Sequence, residues 1–316
     1  MSDDRAQAGS VAIIITTYNH ASFLGSALRS AVLQTRQATE IIVVDDGSRD
    51  HPEAVTRTFP GVRLIRQPNA GLAAARNTGW RAARSEFVVF LDADDRLLPE
   101  ALQINVERLA AEPRAGFSYG AYIHVDATTG RRRLAEFTRA TDGFPVFLRG
   151  NVIGMHASVA YRRARLADIG GFDVSPPACE DYDVYLRMAY RFPVVCSPVP
   201  LAEYWHHSGN MSRDSAMMLR AALMVLARQR PAAERLGEGG AYREGVAGWK
   251  RHYVRAWCLE LAQGLRTGSV PGSLLVQGIS LARQAPLTVA GAPVRRARGL
   301  LRQLRSRVRL DHVACR

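Results

Sequence analysis

Phe87-Val88-Val89-Phe90-Leu91-Asp92-Ala93-Asp94-Asp95 is a five-residue apolar run that ends in three carboxylates. A short continuous run of Val, Phe and Leu fits a strand covered on both faces, the position that strands take in a parallel sheet. The acids at its end fall where open parallel sheets bind ligands, beyond the carboxyl ends of the strands. Taken alone, Asp-Ala-Asp-Asp is also an ordinary turn or helix-cap sequence. The chain on either side decides between the two readings.

Upstream, the same arrangement occurs twice more. Val11-Ala12-Ile13-Ile14-Ile15 is a β-branched run followed by Thr16-Thr17-Tyr18-Asn19, and Ile41-Ile42-Val43-Val44 is followed by Asp45-Asp46-Gly47-Ser48. Between the first two runs, Phe23, Leu24, Ala27, Leu28, Ala31 and Val32 recur on one helical face. Pro52 opens a short helix, residues 62–66 read as a strand, residues 71–84 as a helix, and a helix starts at Pro99 and runs to about Ala111. Repeated β-α-β units predict an α/β fold with a mostly parallel sheet flanked by helices. Downstream, residues 117–125 and 157–161 read as strands, with a hairpin at Thr128-Thr129-Gly130. Residues 180–192 read as a helix, and 194–204 as mixed strand and loop. From Ser212 the chain is mostly helical, broken near residues 237–240, 271–272 and 291–293. The expected organisation is a disordered stretch over 1–10, an α/β domain over 11–212, and a helical region over 213–316.

Composition narrows the class. Of the 316 residues 47% are hydrophobic and 22% charged, which excludes disordered and fibrous chains. No apolar run approaches the ~20 residues of a membrane span, and the polar Met1–Ser10, with Asp3 and Asp4, is no signal peptide. Cys179, Cys196, Cys258 and Cys315 are scattered, which fits reduced thiols in a cytoplasmic protein. The net charge of +13 is uneven: residues 291–316 hold eight arginines against one aspartate, a net of +7. Within 294–310, Ala297, Leu301, Leu304 and Val308 form one helical stripe among arginines. Such a tail either lies on an anionic membrane surface, making the protein peripheral on the inner face of the plasma membrane, or packs its stripe on the protein. No aromatic residues interleave the arginines, which argues against nucleic acid.

Asp45, Asp46, Asp92, Asp94 and Asp95 converging on one crevice would repel one another and raise their own pKa values. A divalent cation relieves this, and Mg2+ or Mn2+ commonly bridges carboxylates to substrate phosphates. The other phosphate-binding devices are missing: no G-x-G-x-x-G follows the first strand and no G-x-x-x-x-G-K-[ST] occurs. A nucleotide diphosphate held with a metal is the economical reading.

The ordered set Thr16-Thr17-Tyr18-Asn19, Val44-Asp45-Asp46-Gly47-Ser48, Asn69-Ala70-Gly71 with Ala75-Arg76-Asn77, Leu91-Asp92-Ala93-Asp94-Asp95 and Glu180-Asp181-Tyr182-Asp183 resembles the family 2 glycosyltransferases of GT-A fold, over roughly Val11 to Ser212. The resemblance implies a Rossmann-like GT-A domain that transfers a sugar from a nucleotide-diphosphate donor, UDP- or dTDP-linked, to a hydroxyl acceptor with inversion. It implies that Thr16 and Tyr18 line the nucleotide pocket, Tyr18 against the base, and that Asp46 accepts a hydrogen bond from the base. Arg76 would lie near the ribose or diphosphate. Asp92 and Asp94 correspond to the DXD motif, which contacts ribose and metal, and Asp95 would share the metal. Asp181 matches the catalytic base, with Glu180 and Asp183 able to orient the acceptor. His207 matches a downstream histidine near the metal or diphosphate. The adjoining His206 leaves that assignment open, as does Trp205, which stands where the family often has arginine. His156 reads as a structural histidine. A glycan or lipid-linked precursor of the cell surface is the expected acceptor. Two rival functions are a sugar-phosphate nucleotidyltransferase, which would want a glycine-rich basic loop after the first strand, and an inactive membrane- or polyanion-binding protein.

Overall fold

The computed structural model of the chain describes residues 7–140, 142–207 and 214–291. Its first half is the predicted β-α-β series: β1 (Val11–Thr17), α1 (Ala21–Val32), β2 (Glu40–Asp45), α2 (Pro52–Thr56), β3 (Val62–Arg66), α3 (Leu72–Ala82) and β4 (Phe87–Asp92). The four strands lie parallel in the order β3-β2-β1-β4. All seven residues of β1 are buried, and its two faces enter different cores. Ala12 and Ile14 pack with Trp80 of α3, while Val11, Ile13 and Ile15 pack with Leu24 and Leu28 of α1. This two-sided burial is why the strand reads as an unbroken apolar run rather than an alternation. On α1, Leu24, Ala27, Leu28 and Ala31 are buried as the spacing predicts, but Phe23 and Val32 at the edges of that face are 37% and 39% exposed.

The contact of α3 with the sheet depends on Gly79. A Cβ there would stand 2.2 Å from Ile14 Cγ2 and 3.3 Å from Val44 Cγ2, and Ile14 is a stiff, fully buried β-branched side chain. Gly79→Ala is expected to destabilise the protein by about 1–3 kcal/mol through overpacking, read as a lower thermal midpoint. An unchanged or raised midpoint would contradict this packing.

Past β4 come β5 (Arg96–Leu97), α4 (Ala101–Ala111), β6 (Phe117–Asp126), β7 (Arg132–Leu134), α5 (Phe144–Arg149), β8 (Val159–Arg162), α6 (Arg163–Asp168), α7 (Glu180–Arg191) and β9 (Val194–His206). The sheet continues β4-β8-β6-β9-β5, with β7 on β6. β8 runs antiparallel to both β4 and β6, and β9 parallel to β6. The sheet is therefore mixed, more so than β-α-β repetition alone suggests. The segment expected as mixed strand and loop is one long strand, β9. It carries register shifts opposite Gly120, Ala121 and Tyr122, where Pro198 and Pro200 cannot donate to the ladder and a bulge absorbs them.

The helical remainder comprises α8 (Ser215–Arg228), α9 (Arg230–Arg235), α10 (Gly239–Thr267), α11 (Gly272–Gln284) and α12 (Pro286–Gly291). Asp214 caps α8 by accepting the Ala216 and Met217 N–H groups. Trp249 of α10 meets Tyr182 of α7 edge-on, centroids 5.3 Å apart, so these helices brace the element that carries Asp181. Residues 7–10 depart from the expected disordered start: the Gly9 N–H donates to Glu86 at 2.8 Å and Arg36 donates to the Gly9 carbonyl at 2.7 Å. Met1–Ala6 and the tail over 294–310 lie outside the described residues. Among the described residues no helix is long and apolar enough to cross a membrane, and Cys179, Cys196 and Cys258 are free thiols.

Candidate active site

The register of the parallel strands brings the polar motifs to one level. Thr16 stands beside Val44 on one side and Asp92 on the other, and Thr17 beside Asp45. Beyond these ends opens a cleft of about 430 Å³, closed on its far side by the first turn of α7. Thr16, Tyr18, Asp46, Arg76, Asp92, Asp94, Glu180 and Asp181 all line it.

A buried ionic strut forms the floor. Arg76, 2% exposed, rises from α3. Its Nη2 donates to both oxygens of Asp92 at 3.0 and 3.1 Å, and its Nη1 donates to Glu180 Oε1 at 2.6 Å. Thr16 Oγ1 donates to Asp92 at 3.0 Å. Burial disfavours the guanidinium charge, but Asp92, Glu180 and Asp181 outweigh that and hold it protonated. Both Nη atoms are thus engaged by carboxylates at the floor of the cleft, the region where the resemblance implied that Arg76 would lie near the ribose or diphosphate. The strut joins the end of β4 to a helix about a hundred residues away.

Cys179 turns the chain into α7 at φ +62°, a conformation that non-glycine residues seldom adopt. It is followed by Glu180, Asp181 and Asp183, acids that suit the positive end of a helix. Asp181 accepts the Tyr182 N–H at 2.7 Å. Burial pushes its carboxyl up to about 6; the Glu180 charge adds to this and Arg76 opposes it. Asp183 does not orient an acceptor: it is 1% exposed and ion-paired with Arg187 at 2.6 Å, inside the protein. Two helical positions, about 200° of rotation, separate the cleft-lining Asp181 from the core Asp183.

On the other side of the cleft, Asp46 takes the Gln67 amide at 2.7 Å and the Ala70 N–H at 2.9 Å on one oxygen, and the Gly71 N–H at 2.8 Å on the other. Gly47 makes that approach possible: its φ is +83°, and a Cβ would stand 2.9 Å from the Asn69 nitrogen. A carboxylate has about four acceptor positions, and three are filled from within, so Asp46 keeps room for one further donor. Tyr18 is 47% exposed at the mouth.

The histidines separate clearly. His207 Nε2 lies 2.9 Å from Asp94 Oδ2, its ring stacked on Phe23 at 4.9 Å. His206 instead meets His124, Nε2 to Nδ1 at 2.7 Å. His207 is therefore the one beside the acidic run. Asp95, expected to share a metal, is 5% exposed and accepts the Trp205 N–H at 3.0 Å. Burial, then the charges of Asp94 and Asp92, raise its pKa well above its ordinary value. Trp205 lies under Arg96, whose guanidinium carbon is 3.9 Å from the ring centroid, so an arginine reaches this place from β5 rather than from the position after Tyr204. His156 is 7% exposed, bonded to Tyr161 Oη at 2.9 Å and stacked on Phe90; burial holds it well below its ordinary pKa. Among the described residues no three His, Cys, Asp or Glu side chains group as metal ligands. Gln67 and Arg96 carry no motif signal of their own, although Gln67 lies two residues before Asn69-Ala70-Gly71, and Phe23, which reads as part of the apolar face of α1, instead stacks on His207.

The family described as Glycosyl transferase family 2 matches residues 12–170. The succinoglycan biosynthesis protein ExoO of Rhizobium meliloti (strain 1021) is 30% identical over 254 residues, which cover 69% of this chain and 71% of that protein. Among solved structures, S. aureus TarS 1-349 in complex with UDP-GlcNAc superposes with a TM-score of 0.60 at 14% identity, covering 91% of this chain and 92% of that one. The mannosyltransferase PcManGT from Pyrobaculum calidifontis, in complex with GDP-Man and Mn2+, gives 0.54 at 21% identity, covering 87% and 81%. At these identities the structural likeness speaks for the fold, which is GT-A.

Proposed function

The chain belongs to glycosyl transferase family 2, and on that premise we propose that it moves a sugar from a UDP- or dTDP-linked donor to a hydroxyl of a glycan or lipid-linked acceptor, inverting the anomeric carbon. One observation carries this reading: Asp181, with its carboxyl pushed up to about 6, lines the same cleft as the polar ends of β1, β2 and β4. An acceptor hydroxyl is a weak nucleophile until its proton is taken during attack, and a base with a pKa near the working pH does this best. One base and one in-line displacement invert the centre. Arg76, bonded to Glu180 and Asp92, keeps Asp181 next to the donor-binding strand ends and orients Asp92. Thr16 and Tyr18 flank the nucleotide, and the remaining acceptor position of Asp46 suits the N3–H of uracil or thymine. The nucleotide sugars in the titles of the TarS and PcManGT structures support a donor of this class. The name of ExoO supports a polysaccharide product. Family membership sets aside the nucleotidyltransferase reading.

The Asp94 carboxylate, at the rim of the cleft, fits a Mn2+ or Mg2+ ion, and His207, 2.9 Å from it, adds a nitrogen donor that suits Mn2+ better than the oxygen-preferring Mg2+. When bound, the ion would neutralise charge growing on the leaving diphosphate. Asp95, fixed by the Trp205 N–H, would position Asp94 and the end of β9 rather than bind the ion. Donor turnover over a panel of nucleotide sugars with Mn2+, read as nucleotide release, tests the reading. Chelator or Asp94→Ala is expected to lower turnover about a hundredfold or more, the equivalent of several kcal/mol. Turnover indifferent to both would sink the metal assignment. Turnover of no donor at all would favour the inactive binding module.

A further inference from the structure

Three large apolar side chains of α11 are open to solvent: Leu275 at 56%, Val276 at 66% and Ile279 at 58% exposure, and Leu287 of α12 follows at 88%. At 100° per residue, Leu275, Val276, Ile279 and the exposed Ala282 share one side of α11. The opposite side is already used. Leu274 and Leu281 are buried, Gly278 lies against the Trp257 ring, and Trp257 Nε1 donates to the Leu274 carbonyl at 2.8 Å. The helix therefore has one apolar face in the core and a second, formed by Leu275, Val276 and Ile279, uncovered among the described residues, with Gln277, Ser280 and Gln284 along one side between them. A contiguous exposed face of this kind marks an interaction surface rather than scattered surface leucines.

Charge identifies what covers it. Residues 261–316 contain ten arginines, no lysine and a single acid, Asp311. Arg266 and Arg283 are exposed, Arg283 on the same side of α11 as Val276, and α11 and α12 contain no carboxylate. A second copy seated here would set arginine against arginine. The chain's own residues 292–316, with eight arginines, would find no acidic partner on these helices. A surface that offers apolar depth and negative headgroups together satisfies both features, and an anionic phospholipid bilayer is that surface. We propose that the exposed face of α11 and α12 is a membrane-interfacial surface, with Leu275, Val276, Ile279 and Leu287 entering the acyl boundary and the arginines pairing with phosphates. The assignment does not depend on the sugar chemistry of the cleft.

The test is flotation of the full-length chain with phosphatidylcholine vesicles prepared with and without phosphatidylglycerol. The unaltered protein is expected to float with the anionic vesicles and much less with the neutral ones. The triple variant Leu275→Ser, Val276→Ser, Ile279→Ser is expected to lose at least about tenfold in partitioning, given the apolar area withdrawn. Its circular dichroism and nucleotide-sugar turnover in detergent-free buffer should stay unchanged, because the three side chains are outside the core and the cleft. The proposal is overturned if the unaltered protein ignores anionic vesicles or if the triple variant binds them equally well. It is also overturned if sedimentation shows a dimer that the triple variant makes monomeric, since the face would then belong to a second copy.

Discussion

Asp181→Asn is expected to lower sugar transfer by about 10²- to 10⁴-fold, the range for loss of a general base, while donor affinity stays close to that of the unaltered protein. The amide keeps the shape of the carboxyl and its Oδ1 can still accept the Tyr182 N–H, so the loss would fall on proton removal. Two further readouts separate this from structural damage. First, transfer by the unaltered protein should rise with pH through about 6, where the buried carboxyl ionises, and the residual activity of the variant should lack that step. Second, stability should move the other way. A carboxyl whose folded pKa lies above its unfolded value binds its proton more tightly in the folded state. Its ionised form therefore costs stability as pH rises from about 4 to about 6. The neutral amide removes that cost, so the variant should melt higher than the unaltered protein at pH 7, with the gain gone below about pH 4. Retention of full transfer would remove Asp181 from the mechanism.

Arg76→Met is expected to cost about 3–5 kcal/mol of stability, the penalty for leaving buried ionic partners without their counter-charge. The guanidinium is 2% exposed and holds Asp92 and Glu180 at once, so its removal should both soften the fold and release the carboxylates that shape the cleft. Arg76→Lys should rescue little, because one ammonium lacks the planar fork that reaches two carboxylates. Adding Glu180→Gln to Arg76→Met should recover part of the stability, since the amide needs no cation. That recovery is a coupling energy measurable by denaturant titration of the two single variants and the double variant. Additive losses would show that the strut is not a unit, and a stable Arg76→Met would show that it is not a strut.

The parallel half of the fold was legible because its signals are local. β1, β2 and β4 are apolar runs buried on both faces, and each ends in the polar motif that marks its carboxyl end. The second half was less legible for a physical reason. Whether β8 runs with or against β4 depends on where a distant segment docks, and nothing in Val159–Arg162 encodes that direction. β9 was read as part loop because Pro198 and Pro200 lack N–H groups, and only its pairing with β6 shows a bulge absorbing them.

The same division runs through the site. By itself the sequence determined that Asp46, Asp92 and Asp94 stand at strand ends, and hence that they meet in one crevice, since parallel strands in register bring their ends to one level. Only the tertiary structure decided which neighbours they keep. It joined Arg76 to Glu180 across about a hundred residues, turned Asp183 and Asp95 inward and set His207 rather than His206 beside Asp94. Long-range pairing, burial and the direction of a side chain at a given turn of helix or strand arise from packing between segments, and no local pattern carries them.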